Sequence, residues 1–458
     1  MIEVVQAYDR LPITRIDSDD ADALERKLAL AHGLFRAREG WPAPHQRIAV
    51  LRKLTELMAE RRDMLALQIA REGGKPLADA LIETDRAIDG VRNCAEVLRT
   101  RAGVEIPMGL TPASERRRAW TIQEPIGVVA AISAFNHPLN LVVHQVGPAI
   151  AAGCPVIVKP ASTTPLSCLA LVAMVVEAGL PEGWVQSFLP EETELAERLA
   201  TDPRIAFLSF IGSGRVGWHL RSKLPPGTRC ALEHGGAAPV IIDASADLDR
   251  LIEPVVKGGY YHAGQVCVSV QRIFVHQTLR EAFVERFAAR VAALKVGDPT
   301  KPETEVGPLI TPREATRVES WISEAVAGGA RLLGGGRHSE TTLNPCILID
   351  PPSDAKVSTL EVFGPVTCVY GFTDIEQAIN EANALPVAFQ SSIFTSDLDT
   401  ALHTAELLDA SAVMVNDHTA FRTDWMPFAG RRESGYGVGG IPYTVREMTA
   451  EKMIVLRS

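Results

Sequence analysis

The chain has 458 residues, 46% of them apolar and 22% charged, the balance of a globular protein, which excludes a fibrous or disordered one. Its 46 Lys plus Arg against 56 Asp plus Glu give a formal charge of −10, and the one basic run, Arg116-Arg117-Arg118, is too short to hold nucleic acid or an anionic membrane. At roughly 150 residues per domain, the length predicts two or three domains.

The first residues carry Glu3 where a secretory signal would carry base, and no apolar stretch follows. From 18 to about 98 the spacing predicts helices. Ser18-Asp19-Asp20 suits an N-cap, and Leu24, Leu28, Ala31, Leu34 and Phe35 recur at helical intervals. In the polar stretch 111–123, Ala119, Thr121 and Ile122 alternate as in an extended ribbon. The most apolar region, 125–159, is broken by Asn136, His137, His144, Gln145 and prolines, short of the ~20 apolar residues of a spanning helix. Val- and Ile-rich runs at 128–132, 156–158, 205–210 and 240–242 alternate with helical segments, and 272–275, 366–370 and 412–415 continue the pattern. Continuous apolar strands separated by helices predict parallel sheets covered on both faces. Gly334-Gly335-Gly336 reads as a loop between strands. The seven cysteines lie without close pairs, so neither a disulfide framework nor a metal site is expected, and the chain reads as a soluble protein of a reducing cytoplasm.

Five motifs bear chemistry. Asn136 in Ala134-Phe135-Asn136-His137-Pro138 offers a neutral donor suited to an oxyanion, or simply stabilises a turn before Pro138. Lys159, in Val156-Ile157-Val158-Lys159-Pro160-Ala161-Ser162, leaves a buried strand where it could meet a ligand hydroxyl or phosphate, or snorkel to solvent. Phe210-Ile211-Gly212-Ser213-Gly214-Arg215-Val216-Gly217 is a glycine turn from strand to helix, a phosphate site or a plain tight turn. Cys267 in Gly264-Gln265-Val266-Cys267 stands 34 positions after Glu233 of Leu232-Glu233-His234-Gly235-Gly236. Each has a structural reading alone, but a thiol and a carboxylate together suit covalent catalysis with later activation of water. In Glu361-Val362-Phe363-Gly364-Pro365, Phe363 either walls a flat ligand or belongs to the core.

These motifs, in one order and register, together with Met426-Pro427-Phe428-Ala429-Gly430 and Glu433-Ser434-Gly435-Tyr436-Gly437, resemble the aldehyde dehydrogenase superfamily from about residue 18 onward. The resemblance implies an α/β protein with a Rossmann-like cofactor domain (1–106 and 126–233), an α/β catalytic domain (234–440) and a small β oligomerisation ribbon with tail (107–125 and 441–458). It implies Cys267 as nucleophile, Glu233 as general base, and Asn136 with the Cys267 backbone N–H as oxyanion hole. It further implies NAD or NADP held by Lys159, Ser162, Gly212, Ser213, Val216, Gly217, Glu361 and Phe363. The reaction would take an aldehyde through a cysteine thiohemiacetal and thioester to a carboxylic acid, in a homodimer or homotetramer.

The run Phe421-Arg422-Thr423-Asp424-Trp425-Met426-Pro427-Phe428 is similar to the branch acting on small hydroxylated or anionic aldehydes such as lactaldehyde, phosphonoacetaldehyde and sulfolactaldehyde. Arg422, Arg86 and His137 are the expected tail-binding residues, with Arg86 alternatively a solvated helix arginine. Ser162 stands where NAD-preferring relatives often carry glutamate, so NADP is expected to be tolerated, unless Ser162 only caps the next helix. His234, Val240 and Ala429 depart from common residues and read as local repacking. Rival readings are a CoA-acylating relative, disfavoured by the presence of Glu233, and a non-catalytic binding or structural protein on the same scaffold.

Overall fold

The computed structural model describes residues 1–457. Two sheets organise the chain. The first has six strands in the order Gly435–Tyr436, Arg229–Glu233, Ile205–Ile211, Val128–Ile132, Val156–Lys159, Val185–Ser187, all parallel except the short first one. The chain winds outward from Val128–Ile132 in one direction and then resumes beside it with Ile205–Ile211. The strand order therefore reverses between these two, and the crevice beyond their carboxyl ends is where doubly wound sheets take ligands.

The second sheet has seven strands in the order Arg331–Gly334, Cys346–Ile349, Val366–Phe372, Val270–His276, Ala238–Ile242, Gln390–Phe394, Ala412–Val415. Only Arg331–Gly334 runs antiparallel to its neighbour. Val128–Ile132 and Gln390–Phe394 are buried at every residue, as apolar strands covered by helices on both faces must be. Gly334 closes a strand, and Gly335 and Gly336 form the loop, all three with positive φ.

The helical amino-terminal region begins at Ala21–Arg36, capped by Asp20, whose side chain accepts from the Ala23 N–H at 2.7 Å. Before it stands a hairpin, Ile2–Val5 with Pro12–Ile16, that the sequence reading left out. Helix Asn140–Ala152 is buried along its whole length beneath Leu77–Thr100. Its first N–H groups would be orphaned there. Glu83 supplies the acceptor, taking the Leu139 and Asn140 N–H groups at 3.0 and 3.1 Å, while the fully buried Lys75 neutralises it. This fastening sits directly after Asn136 and His137.

The ribbon is a three-stranded sheet in which Arg117–Pro125 pairs along its length with Thr449–Arg457, and Glu105–Ile106 adds an edge. Ser458 lies outside the described residues. The structure departs from an expected tail at 441–458. Helix Ile441–Glu447 buries Ile441, Val445 and the following Met448, spaced as one helix face, in the first domain's core, and only 449–457 joins the ribbon. Likewise Gly435–Tyr436, expected in the catalytic domain, hydrogen-bonds to the edge strand Arg229–Glu233 of the first sheet. No helix among the described residues is long and apolar enough to cross a membrane, and none of their His, Cys, Asp and Glu form a metal-holding group.

Candidate active site

The carboxyl ends of the first sheet and the loops of the second enclose a cavity of about 980 Å³. Its walls include Cys267, Glu233, Asn136, Lys159, Ser162, Gly212, Ser213, Val216, Glu361, Phe363, His137, Arg86 and Arg422. Gly217 is buried behind the wall, one turn into helix Gly214–Ser222. A Cβ on it would overlap the His234 ring.

At one end, Lys159 leaves its strand half-buried, its Nζ donating to the Pro160 carbonyl at 3.0 Å and meeting no carboxylate among the described residues. Burial lowers its pKa. Ser162 is exposed beside it and caps nothing. The next helix, Leu166–Glu177, is served by the buried Glu72, which accepts from the Leu166 and Ser167 N–H groups at 2.8 and 2.9 Å. The Gly212-Ser213 turn is tied to the neighbouring strand by the Gly212 N–H on the Glu233 carbonyl at 3.0 Å, and Ser213 heads the helix with its carbonyl taking the Val216 and Gly217 N–H groups. His234 does more than fill space here: its Nδ1–H donates to the Gly212 carbonyl at 2.9 Å, fastening the turn. Arg215, exposed on the same turn, also lines the cavity and was missed from sequence; its one signal is position in the glycine motif.

Cys267 follows a tight bend. His262, Ala263 and Gly264 have φ of 49°, 54° and 71°, and a Cβ on Gly264 would overlap the Gly364 carbonyl. Two non-glycine residues held left-handed in a row are strained, and the surroundings hold them there. Gln265 is the clamp: its Nε2 donates to the Pro308 carbonyl at 3.1 Å and its Oε1 accepts from the Ile310 N–H at 3.0 Å. Its carbonyl in turn accepts from Asn136 Nδ2 at 2.9 Å, so Asn136 is locked to the loop carrying the thiol with a second N–H to spare. Of the seven cysteines Cys267 alone is partly exposed. Its thiol is pushed up to about 12, by burial first and then by the Glu361 and Glu233 charges, against the opposing pull of Arg422.

Glu233 ends its strand with the carboxyl against Gly439, where a Cβ would overlap Oε1. Burial raises its pKa and Arg422 lowers it. Glu361 reaches across the cavity onto Gly235, again a place a Cβ would fill, and its Oε1 is buried without a partner. Burial pushes it up to about 8, against the Gly236 N–H and the Arg317 charge. Phe363, held at φ 48°, meets Phe135 edge-on at 5.8 Å between ring centres.

At the other end stand the expected tail-binding residues. Arg86 is no solvated helix arginine: its Nη2 and Nε bind both oxygens of Asp424 at 2.8 and 3.1 Å. His137 is buried, its Nε2 3.2 Å from the Tyr261 hydroxyl, and burial with the Lys75 and Arg86 charges keeps its pKa well below the usual imidazole range. Arg422 stacks its guanidinium over Phe428 at 3.5 Å and has no carboxylate of its own among the described residues. Asp424 and His144, which back this end, were given no site role from sequence, although Asp424 lies in the 421–428 run and His144 is a polar break in the apolar region 125–159.

The profile of the aldehyde dehydrogenase family matches residues 1–454. The chain is 37% identical over 456 residues to 3-sulfolactaldehyde dehydrogenase of Priestia aryabhattai, covering 99% of this chain and 94% of that one. Among solved structures it superposes on aldehyde dehydrogenase 21 from Physcomitrella patens, in complex with the reaction product succinate, with a TM-score of 0.96 at 34% identity, covering 100% of this chain and 95% of that one. It superposes on glyceraldehyde-3-phosphate dehydrogenase GapN from Methanocaldococcus jannaschii, complexed with NADP, with a TM-score of 0.95 at 31% identity, covering 100% and 99%. With the fold, the cavity and the matched length in agreement, the chain belongs to the aldehyde dehydrogenase family, oxidoreductases that convert aldehydes to acids with NAD or NADP.

Proposed function

We propose that this enzyme oxidises a short aldehyde with a hydroxylated, anionic tail, of the sulfolactaldehyde kind, to its carboxylic acid. The observation that carries this reading is the unequal pairing of two arginines at the substrate end of the cavity. Arg86 is held by a bidentate pair with Asp424, and burial keeps His137 and His144 neutral. Arg422, attracted by the Glu233 and Asp424 charges, stacks on Phe428 with no carboxylate in ion-pair contact among the described residues. An unpaired buried cation is costly, and a ligand anion offsets that cost.

The cofactor end fits a dinucleotide. Lys159 has spare donors for ribose hydroxyls, the Gly212-Ser213 turn presents a helix N-terminus to a pyrophosphate, and the partnerless Glu361 Oε1 is an acceptor for a second ribose. Bound NAD or NADP supplies the acceptor for the substrate hydride. The residues present would do the rest. Cys267 loses its thiol proton to solvent and its Sγ adds to the carbonyl carbon, while the second Nδ2–H of Asn136 with the Cys267 backbone N–H holds the oxygen as it gains charge. Glu233 then takes a proton from water, which attacks the acyl carbon and frees the thiolate and the acid. The presence of Glu233 favours water over CoA as acyl acceptor. Exposed Ser162 and Arg215 favour acceptance of the 2′-phosphate of NADP.

The domains are proposed as drawn from sequence, with 435–448 assigned to the cofactor domain. The ribbon carries exposed Trp120, Met453, Val455 and Leu456, which favours self-association as a homodimer or homotetramer, in the cytoplasm. A panel of aldehydes run with NAD and NADP, with and without CoA, tests the reading. The expected result is a kcat/KM for 3-sulfolactaldehyde at least about tenfold above that for propanal, independent of CoA. Equal values would reject the anionic tail, and a preference for NAD over NADP of about a thousandfold, ~4 kcal/mol, would reject the role given to Ser162.

A further inference from the structure

Behind the two arginines of the substrate end lies a hydrogen-bonded chain through Asp424 and His144, neither of which lines the cavity. Asp424 accepts from Arg86 Nη2 and Nε, from Asn140 Nδ2 at 3.1 Å, and lies 2.7 Å from His144 Nε2. The other imidazole nitrogen, Nδ1, lies 3.3 Å from Arg422 Nη2. A guanidinium can only donate, so Nδ1 must accept; the ring proton is therefore on Nε2 and is donated to Asp424. One tautomer satisfies both contacts, and His144 and Asp424 are 4% and 3% exposed, so water does not compete for either. Protonation would place an N–H against Arg422, and burial together with the Arg422 charge holds the imidazole down at about 4.

The two arginines are thus treated differently. Arg86 is neutralised directly, by a bidentate pair. Arg422 meets the same carboxylate only through a neutral ring, and its Nε is buried with no partner. We infer that His144 is a positioning residue for substrate choice: its Nδ1 acceptor, set by the Nε2–H bond to Asp424, holds the Arg422 guanidinium over Phe428 without a carboxylate in ion-pair contact, so that it can meet the anionic tail of the aldehyde. The inference rests on the anionic-tail reading above and adds the residue through which the tail's receptor is aimed.

The test compares 3-sulfolactaldehyde with lactaldehyde, which differ by the sulfonate, in His144→Leu, His144→Gln, His144→Asn and Arg422→Ala. The readout is the ratio of their KM values, with kcat and a thermal melt measured alongside. Gln keeps a donor for Asp424 and loses the acceptor for Arg422; Asn places an oxygen near the Nδ1 position and keeps that acceptor. The expected result is a ratio raised about tenfold in H144L and H144Q, at least as much in R422A, and restored in H144N. H144Q serves as the reading if H144L does not fold. A ratio that rises in R422A but stays at the wild-type value in H144L and H144Q overturns the role of His144 while sparing the anionic tail. A ratio unchanged in R422A overturns the anionic tail itself. Equal losses for both aldehydes in the His144 variants would mark a merely structural residue and also overturn the proposal.

Discussion

The carboxyl of Glu233 rests on the bare backbone of Gly439, so closely that a Cβ there would overlap its Oε1 and come within 2.9 Å of the Phe428 carbonyl. Gly439→Ala must therefore move the carboxyl. If Glu233 activates the hydrolytic water, the variant slows acyl hydrolysis by ~100-fold while the first turnover still reduces cofactor at near the normal rate. Stopped-flow absorbance would show a burst that wild type lacks or shows weakly. Loss of the burst together with turnover would place the damage elsewhere.

Asn136 is fixed through the Gln265 carbonyl to the loop that carries Cys267. Removing one preorganised oxyanion donor typically costs ~3–4 kcal/mol of transition-state stabilisation. Asn136→Ala should lower kcat by ~100-fold or more with the fold intact. A near-normal kcat would remove Asn136 from that role.

The thiol of Cys267, pushed up to about 12, is protonated near neutrality in the free enzyme. Only the thiolate is alkylated, so iodoacetamide labelling of position 267 should speed up about tenfold per pH unit between roughly 7 and 10. Glu361 raises the thiol pKa only where it is ionised, above its own value of about 8. Glu361→Gln should therefore accelerate labelling on the alkaline side and do little below it. Mass spectrometry of the labelled peptide measures both, and a pH-independent rate would contradict the raised thiol pKa.

Asp424 joins Arg86, Asn140 and His144, and hydrogen bonds from His144 with the Arg86 charge hold its carboxyl far below the usual range, outweighing burial. Its pKa is depressed on folding, so its contribution is present above the unfolded value of ~3.9 and is lost as pH falls through the folded one. Asp424→Asn leaves the Arg86 charge buried beside a neutral amide, and should cost about 3–5 kcal/mol at neutral pH. The gap from wild type should narrow in strong acid. Urea midpoints at pH 7 and pH 3 check both statements.

Much of this arrangement was legible because the motifs are local. Lys159 ends and Gly212 follows an apolar strand legible from its own run, and the parallel sheet brings such ends to one edge whatever lies between, whereas Glu233 ends Arg229–Glu233, a strand without Val or Ile that no run marked. Local spacing also marked the Asp20 cap and the alternating ribbon. The amino-terminal hairpin was not legible. Nor was the packing of Gly435–Tyr436 and Ile441–Glu447 with the first sheet and its helices, because Ile441, Val445 and Met448 show an apolar face but not which core it enters.

Residue types and their order along the chain thus specified the chemistry available: a thiol, a carboxylate, an amide and a glycine turn, each beside a strand end. Which charges remain free was decided only by folding. Asp424 meets Arg86 across 338 positions and His144 across 280, and it neutralises the first arginine directly while reaching Arg422 only through an imidazole. Charge pairing depends on distances of a few ångströms in a dry interior, and no pattern along the chain encodes those distances.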